Sequence, residues 1–396
     1  MATFLGPRML YLNPNYLLKM ANFLSRLFKG GSDSVLGIDI GSSAIKVVQL
    51  RRQGGRAVLE TYGALSLGPY AKIEIGRATS LPVEKIVLAL TDILREAKTT
   101  TKAGGVAIPF SASLMTIIDL PNVGEKQLAQ MVPIEARKYI PVPIAEVSLD
   151  WSIIPRDQIG KTEGGEGAGE DLVAVQGKKV PKADILLVAI HNQTLRDHEA
   201  IVQKAGLEVS FFEIEIFSSM RSALDENDNK PAMILDLGAG STKLYIVERG
   251  LVRTSHTVNR GSQDITSSIA TSLNIPVDQA EIMKRTIGWN ADPANKNLAE
   301  VIALNLDFIF SEARHVLVNY QSKYKKDVEK VVLTGGGATM KGFGELAQKN
   351  LETPAVLGDP FSKVQAPAFL NDILRKNGPE FSVALGLALR KLQENK

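Results

Sequence analysis

One pattern of residues occurs twice in this chain and limits the folds that it can adopt. The first copy, DIGSSAIKVVQL, begins at Asp39, and the second, DLGAGSTKLYIV, begins at Asp236. In each copy an apolar run leads to the aspartate, a glycine follows two residues later, and a lysine stands seven residues after the aspartate. An alternating strand, a polar turn and a third strand come next in both. The shared spacing predicts two related domains that face each other, each built on a hairpin of one design.

Small residues at the tips of these hairpins indicate a site for phosphate groups. Glycine and serine let backbone N–H groups approach an anion closely, because no bulky side chain blocks the way. A carboxylate at the end of a buried strand cannot bind phosphate directly, but it can hold the water shell of Mg²⁺. Two opposed hairpins would therefore clamp a triphosphate from both sides. The alternative is a pair of ordinary hairpins that happen to begin with aspartate.

A third element, KVVLTGGGATMKGFGELAQKNL, follows the second hairpin. It combines a short apolar strand from Lys330 to Leu333, three consecutive glycines and an amphipathic helical pattern. Gly335, Gly336 and Gly337 would leave room for a flat ring or a ribose against the backbone. A glycine triplet after a strand is a weak signal alone, but after two such hairpins it supports a nucleotide site.

The composition argues against several other functions. The formal net charge is +3, from 46 basic and 43 acidic residues, which does not indicate a nucleic-acid-binding protein. The absence of cysteine excludes disulfides, thiolate metal sites and thiol nucleophiles. No stretch reaches the ~18 unbroken apolar residues of a membrane-spanning helix, so we expect a cytoplasmic protein.

The order of the two hairpins and the glycine triplet, over residues 35 to 343, resembles the actin-like ATPase superfamily. That superfamily includes actin, sugar kinases, chaperones of the DnaK type, MreB and FtsA. A narrower resemblance, to the PilM-type proteins of type IV pilus assembly, is carried by LPNVGEKQLAQMVPIEARKYIPVPIAEVSLDW, residues Leu120–Trp151. The strand–helix–strand–helix pattern over residues 185 to 224 agrees with it. The resemblance implies an α/β, actin-like ATPase fold of two related halves with an inserted 1C-type subdomain.

The same resemblance implies a division of the chain into subdomains. We expect an N-terminal leader, a discontinuous subdomain 1A, an inserted partner-binding subdomain 1C with a flexible glycine-rich loop, and a second actin-like half. The expected ranges are 1–33 for the leader, 34–110, 206–228 and 372–396 for 1A, 111–205 for 1C with its loop at 158–179, and 229–371 for the second half (2A, with 2B at about 260–326).

The resemblance also implies ATP and Mg²⁺ as ligands. Asp39 and Asp236 would hold Mg²⁺ through water and, together with Glu215, would form the catalytic group. Glu213 competes with Glu215, because two residues that are two apart on a strand point to the same face. Glu281 and Lys284 are three apart on one helix face and would flank the ribose and adenine, although the sequence alone also allows a solvated pair. The other implied nucleotide contacts are Gly41, Ser42, Ser43 and Lys46 in the first hairpin, Gly238, Gly240 and Ser241 in the second, and Gly261, Gly335, Gly336, Gly337 and Met340.

The function implied by the resemblance is that of an ATP-binding scaffold in type IV pilus assembly, peripheral at the inner membrane, in which hydrolysis is slow or incidental. Subdomain 1C would grip the cytoplasmic tail of a PilN-like inner-membrane protein in a groove. Indirect contact with PilO, contact with the pilus motor ATPases or platform protein, and self-association are further hypotheses. The residues of the groove would be those of a Tyr-Ile-Pro-x-Pro motif, namely Tyr139, Ile140, Pro141 and Pro143.

Three alternatives remain open at this stage. One is an FtsA-like, membrane-associated filament-forming ATPase, although such chains usually end in a linker and an amphipathic helix, whereas here a core-like helix runs to Lys396. Another is the equivalent module of a type II secretion system. The third is a small-molecule kinase, which would need a general base beside the acceptor hydroxyl. Residues 34–110 offer no evident constellation of that kind.

Overall fold

The computed structural model describes residues 34–154, 172–175, 178–289 and 292–394, so the predicted leader lies outside the described residues. The strands are β1 Ser34–Ile40, β2 Ala44–Gln53, β3 Arg56–Ser66, β4 Ala103–Ile108, β5 Ser113–Pro121, β6 Val147–Ile153, β7 Leu172–Val175, β8 Lys178–His191, β9 Glu208–Ile214, β10 Ala232–Leu237, β11 Thr242–Glu248, β12 Leu251–Val258, β13 Lys330–Thr334 and β14 Ala355–Leu357. The helices are α1 Gly68–Ala71, α2 Val83–Glu96, α3 Glu125–Ala136, α4 Asn192–Lys204, α5 Glu215–Ala223, α6 Ser262–Leu273, α7 Val277–Thr286, α8 Lys296–Tyr324, α9 Phe343–Leu351, α10 Asn371–Asn377 and α11 Ser382–Glu394.

Two five-stranded sheets have the same topology, as the repeated sequence pattern predicts. Their strand orders are β3-β2-β1-β4-β9 and β12-β11-β10-β13-β14. In each, three consecutive strands are antiparallel and the next two are parallel to the first of them. Asp39 pairs directly with Lys46 across the first hairpin, and Asp236 with Lys243 across the second. Residues directly opposite in an antiparallel pair share a face, so each lysine lies beside its aspartate.

The strand β1 that carries Asp39 is held in place by the last helix. Helix α11 packs across β1, β2 and β4, and its Ala384, Leu385 and Ala388 share one buried cluster with apolar residues of β1 and β2. The approach is very close at Gly37, where a Cβ atom would lie 1.8 Å from the carbonyl oxygen of Ala384. Any larger residue at this position would push the helix off the sheet.

A third, smaller sheet has the order β5-β8-β6, with β7 paired to β8. Helix α3 covers it through Leu128, Val132 and Ala136, which share a buried cluster with Ile118 and Ile185 of the sheet. The expectation of a loop throughout residues 158–179 is wrong at its end, because β7 and the start of β8 form an antiparallel pair there. The rest of that loop lies outside the described residues.

The longest described helix, α8, has 29 residues and packs against the second large sheet. Its apolar residues recur at helical spacing and line the core, in agreement with the amphipathic pattern of the sequence. No helix in the described part of the chain is long and apolar enough to cross a bilayer. The core stripe consists of Leu306, Ile309, Phe310, Ala313, Val316 and Tyr320, with Leu317 packed beside it.

Candidate functional site

A cleft lies between the two halves and encloses about 940 Å³, part of it open to solvent. The ends of β1 and β10, with the hairpins that follow them, meet in this cleft. Of the residues predicted from the sequence, the cleft is lined by Asp39, Gly41, Ser42, Ser43, Lys46, Glu215, Asp236, Gly238, Glu281, Lys284, Gly335, Gly336, Gly337 and Met340.

The turns of the two hairpins are closed by equivalent backbone hydrogen bonds. The N–H of Gly41 donates to the carbonyl of Ala44 at 3.1 Å, and the N–H of Gly238 donates to the carbonyl of Ser241 at 3.1 Å. A Cβ atom on Gly238 would lie 2.8 Å from that accepting oxygen, and one on Gly41 would lie 3.1 Å from the equivalent oxygen. A side chain on Gly238 would therefore push against the turn, and one on Gly41 would crowd it more mildly.

Each hairpin carries a buried aspartate–lysine pair. The Nζ of Lys46 lies 3.2 Å from Oδ2 of Asp39, and the Nζ of Lys243 lies 3.4 Å from Oδ2 of Asp236. Burial lowers the pKa of both lysines, but the carboxylates outweigh it and the net pKa of each is raised. The aspartate of the other hairpin also raises the pKa of each lysine. Both lysines therefore stay cationic in the cleft.

Glu215 reaches the cleft from the first residue of α5. Its Oε1 accepts a hydrogen bond from the N–H of Phe110 at 2.7 Å, and its Oε2 lies 2.9 Å from the Nζ of Lys243. The residue is only 8% exposed, and burial raises the pKa of its carboxyl group against the opposing effect of Lys243. Each carboxylate oxygen thus has a partner within the protein.

Glu213 does not share this position, so the expectation that the two glutamates point to one face of a strand is wrong. Strand β9 ends at Ile214 and the chain enters a helix at Glu215, which breaks the two-residue alternation. The carboxylate of Glu213 instead lies 2.8 Å from guanidinium nitrogens of both Arg221 and Arg390. It does not line the cleft.

Acid should destabilise the protein through Glu213. Burial raises the pKa of this carboxyl group, but Arg221 and Arg390 outweigh it and lower the pKa from 4.5 to about 2. Because the folded-state pKa is depressed, the stabilisation is fully present above pH 4.5 and is lost as the pH falls towards 2. We expect a loss of roughly 3 kcal/mol over that window, measured as the free energy of urea unfolding against pH. A Glu213→Gln variant should lack this part of the acid slope, and an unchanged slope would contradict the assignment.

Glu281 and Lys284 form a buried pair on α7, not the solvated pair that the sequence also allowed. The Nζ of Lys284 lies 2.6 Å from Oε2 of Glu281 and donates to the carbonyl of Ser262 at 3.0 Å. Arg285 holds the other oxygen of Glu281 at 2.6 Å. Burial lowers the pKa of Lys284 in spite of this pairing, whereas Lys284 keeps the pKa of Glu281 below its usual value against burial. This charged group forms one wall of the cleft.

The glycine triplet approaches the second aspartate closely. Gly335 has a φ of +84°, and a Cβ atom there would lie 2.3 Å from Oδ1 of Asp236. Both facts require glycine at this position. The buried side chain of Met340 follows the triplet and contributes to the same wall of the cleft.

Three predicted residues do not line the cleft: Gly240, Ser241 and Gly261. Gly261 packs against the back of the second hairpin, where a Cβ atom would lie 2.3 Å from the carbonyl oxygen of Ala239. Gly240 lies at the hairpin tip, where a Cβ atom would be 3.2 Å from the Cβ of Ala78 in the first half. These residues shape the cleft or bring its two sides together without facing its interior.

The sequence reasoning missed several residues of the cleft. Lys243 was visible as the counterpart of Lys46 in the repeat, so the repeat itself could have placed it here. Arg285 follows Lys284 on α7 and pairs with Glu281 four residues before it, so helical spacing could have added it. Glu380 carried no signal, because it reaches the cleft only through the packing of a distant segment. The further lining residues are Ala44, Gly76, Ser219, Ala239, Lys243, Ser262, Arg285, Thr339, Pro379, Glu380, Ser382 and Val383.

The Tyr-Ile-Pro-x-Pro motif follows α3, and its residues differ in solvent exposure. Tyr139 is 43% exposed, and Pro141 and Pro143 are also exposed. Ile140 is 7% exposed and packs in the core of the small sheet. Only the tyrosine and the prolines present a surface, and the isoleucine anchors the segment.

The paired sheets and the cleft between them define an actin-like ATPase fold. MreB 5 of Spiroplasma citri, in a structure bound to AMPPNP, superposes with a TM-score of 0.53 at 11% identity, over 92% of this chain and 98% of that chain. The structure of a PilM–PilN type IV pilus biogenesis complex gives a TM-score of 0.73 at 24% identity, over 90% of this chain and 98% of that chain.

Sequence comparison identifies the family within that class. The family model for the type IV pilus assembly protein PilM matches residues 37–164 and 171–392. The chain therefore belongs to the PilM family. It is also similar to the cell division protein FtsA of Neisseria meningitidis serogroup B, with 24% identity over 363 residues, covering 84% of each chain.

Proposed function

We propose that this protein binds Mg²⁺–ATP between its two halves and acts as a cytoplasmic scaffold of type IV pilus assembly at the inner membrane. In this role it would hold the cytoplasmic tail of a PilN-like inner-membrane protein. The observation that carries the nucleotide part is the convergence of two Asp-x-Gly hairpins in one cleft. Membership of the PilM family supports the pilus part.

The residues of the cleft fit this ligand. The hairpins line the cleft with small residues, Gly41, Ser42 and Ser43 on one side and Gly238 and Ala239 on the other, which lets phosphate groups approach the backbone. Asp39 and Asp236 are 6% and 7% exposed and line the same cavity, where they would hold the water shell of Mg²⁺. The metal would supply positive charge against the phosphates. The polar side chains of α7 and the glycine triplet would hold the nucleoside.

The proposed binding of the tail is based on the exposed residues of the Tyr-Ile-Pro-x-Pro motif. Tyr139, Pro141 and Pro143 are partly apolar and accessible, and tyrosine is enriched among residues that dominate binding energy at interfaces. The PilM–PilN complex that shares this fold is an assembly of the proposed kind. A short extended peptide would lie against these residues.

Tyr139→Ala should weaken binding of a PilN-like tail peptide by about 30-fold, because truncating a central interface aromatic typically costs about 2 kcal/mol. The measurement is calorimetric titration of the ATP-loaded protein with the tail peptide from the same source. Phe369→Ala is the matched control, since Phe369 is an aromatic that is 80% exposed outside this segment. Equal affinity of the Tyr139 variant and the wild type would refute the proposed groove, and no binding by the wild type would refute the tail-binding function.

The similarity to FtsA supports a second candidate function, that of a filament-forming ATPase. The two functions make different predictions for the purified protein. A filament former should sediment in an ATP-dependent and concentration-dependent manner without any peptide. A scaffold should stay in the supernatant under the same conditions and bind the tail peptide.

A further inference from the structure

The two lysines of the repeated hairpins occupy the same register but have different surroundings. Within the part of the chain that the structure describes, Lys46 forms one ion pair, with Asp39. Lys243 forms two, with Asp236 at 3.4 Å and with Glu215 at 2.9 Å. The second lysine thus links its own hairpin to α5 in the first half, across the cleft.

This contact restrains Glu215. With Oε1 on the N–H of Phe110 and Oε2 on the ammonium group of Lys243, the carboxylate is held from both ends. A general base must have an oxygen that can accept a proton from water, and a paired ammonium group opposes that proton transfer. Of the two candidate glutamates only Glu215 faces the cleft, so its restraint bears directly on hydrolysis.

The same ammonium group supplies positive charge beside Asp236. Asp39, Asp236 and Glu215 bring three carboxylates to the inner cleft, and the two lysines offset two of them. A polyphosphate entering this region therefore needs further positive charge. Removal of either lysine would increase the need for Mg²⁺.

We propose that Lys243 is a positioning residue that restrains Glu215, so that the cleft retains ATP rather than hydrolysing it, and that its charge reduces the Mg²⁺ requirement of binding. The inference rests on the proposed nucleotide-binding function. In the reaction it suppresses, the oxygen of water bonds to the γ-phosphorus and the bond from that phosphorus to the β,γ-bridging oxygen breaks. The products are ADP and phosphate, and the proton of the water passes to Glu215.

The test compares Lys243→Met with Lys46→Met, a matched loss of charge at the equivalent position. Two quantities are measured: the Kd for ATP in Mg²⁺ and in EDTA, and the rate of phosphate release in a single turnover. We expect both variants to raise the ratio of the Kd in EDTA to the Kd in Mg²⁺, by about tenfold. Only Lys243→Met should also raise the rate of phosphate release, by about tenfold or more, since general-base catalysis is worth about 10² or more.

Lys243→Arg and Lys243→Gln complete the design. Arginine keeps a positive charge beside Glu215, so its phosphate release should stay well below that of Lys243→Met. Glutamine removes the charge but keeps a polar side chain, so it replaces methionine if Lys243→Met does not fold. We expect the same faster phosphate release and the same greater Mg²⁺ requirement from it. A wild type that binds ATP, with neither faster release nor a greater Mg²⁺ requirement in the charge-removing variants, would overturn the role of Lys243 alone. A wild type that binds no ATP would overturn the proposed nucleotide function, and this inference with it.

Discussion

Asp39→Asn should weaken the binding of Mg²⁺–ATP by about 10- to 100-fold. The reason is the loss of a carboxylate that would hold the water shell of the metal, since hydrogen bonds to charged groups are worth about 1.5–3 kcal/mol. The substitution preserves shape and also removes the carboxylate that pairs with Lys46. In EDTA the affinity for ATP should therefore stay the same or rise, because the freed ammonium group can approach phosphate.

This opposite response in the two buffers separates a metal-holding role from simple damage to the cleft. The measurement is equilibrium binding of a fluorescent ATP analogue, with far-UV circular dichroism to confirm folding. Asp372→Asn, at an exposed position of α10, is the control and should leave both affinities unchanged. Wild-type affinity of the Asp39 variant in Mg²⁺ would remove Asp39 from the site.

Glu213→Gln should reduce the free energy of unfolding by about 3–5 kcal/mol, because it removes the buried carboxylate that Arg221 and Arg390 share. The side chain of Glu213 is 1% exposed, and those of Arg221 and Arg390 are 11% and 7% exposed. The measurement is denaturation in urea at pH 7. At temperatures where the variant remains folded, its affinity for ATP should match the wild type, since this cluster lies outside the cleft.

Glu394→Gln is the matched control for that experiment. Glu394 pairs with the same Arg390 at 3.1 Å, but its side chain is 30% exposed. A solvent-accessible ion pair contributes little to the free energy of unfolding, so this change should reduce it by less than about 1 kcal/mol. Similar losses of unfolding free energy in the two variants would show that burial does not determine how much Glu213 contributes to stability. A large loss of ATP affinity in Glu213→Gln would return Glu213 to the list of candidate catalytic residues.

The repeated architecture could be predicted from short stretches of the amino-acid sequence. The two Asp-x-Gly hairpins, the strand before the glycine triplet and the apolar stripe of α8 are all encoded by residues close together in the chain. Periodicity and glycine sterics act at that short range, so these elements could be predicted without tertiary information. The register of the hairpins also follows from local spacing, and this spacing is the reason that Lys46 lies beside Asp39.

The pairing of the buried charged groups could not be predicted in the same way, because it depends on how distant segments pack. Glu213 and Glu215 are two residues apart, yet one is bound by Arg390, 177 residues away in sequence, and the other by Lys243 on the opposite half. Similarly, Tyr139 and Ile140 are neighbours, but only the tyrosine stays exposed once the small sheet packs. The physical reason is that the environment of a buried charge depends on distant segments that meet only when the sheets and helices pack, and local periodicity carries no information about those contacts.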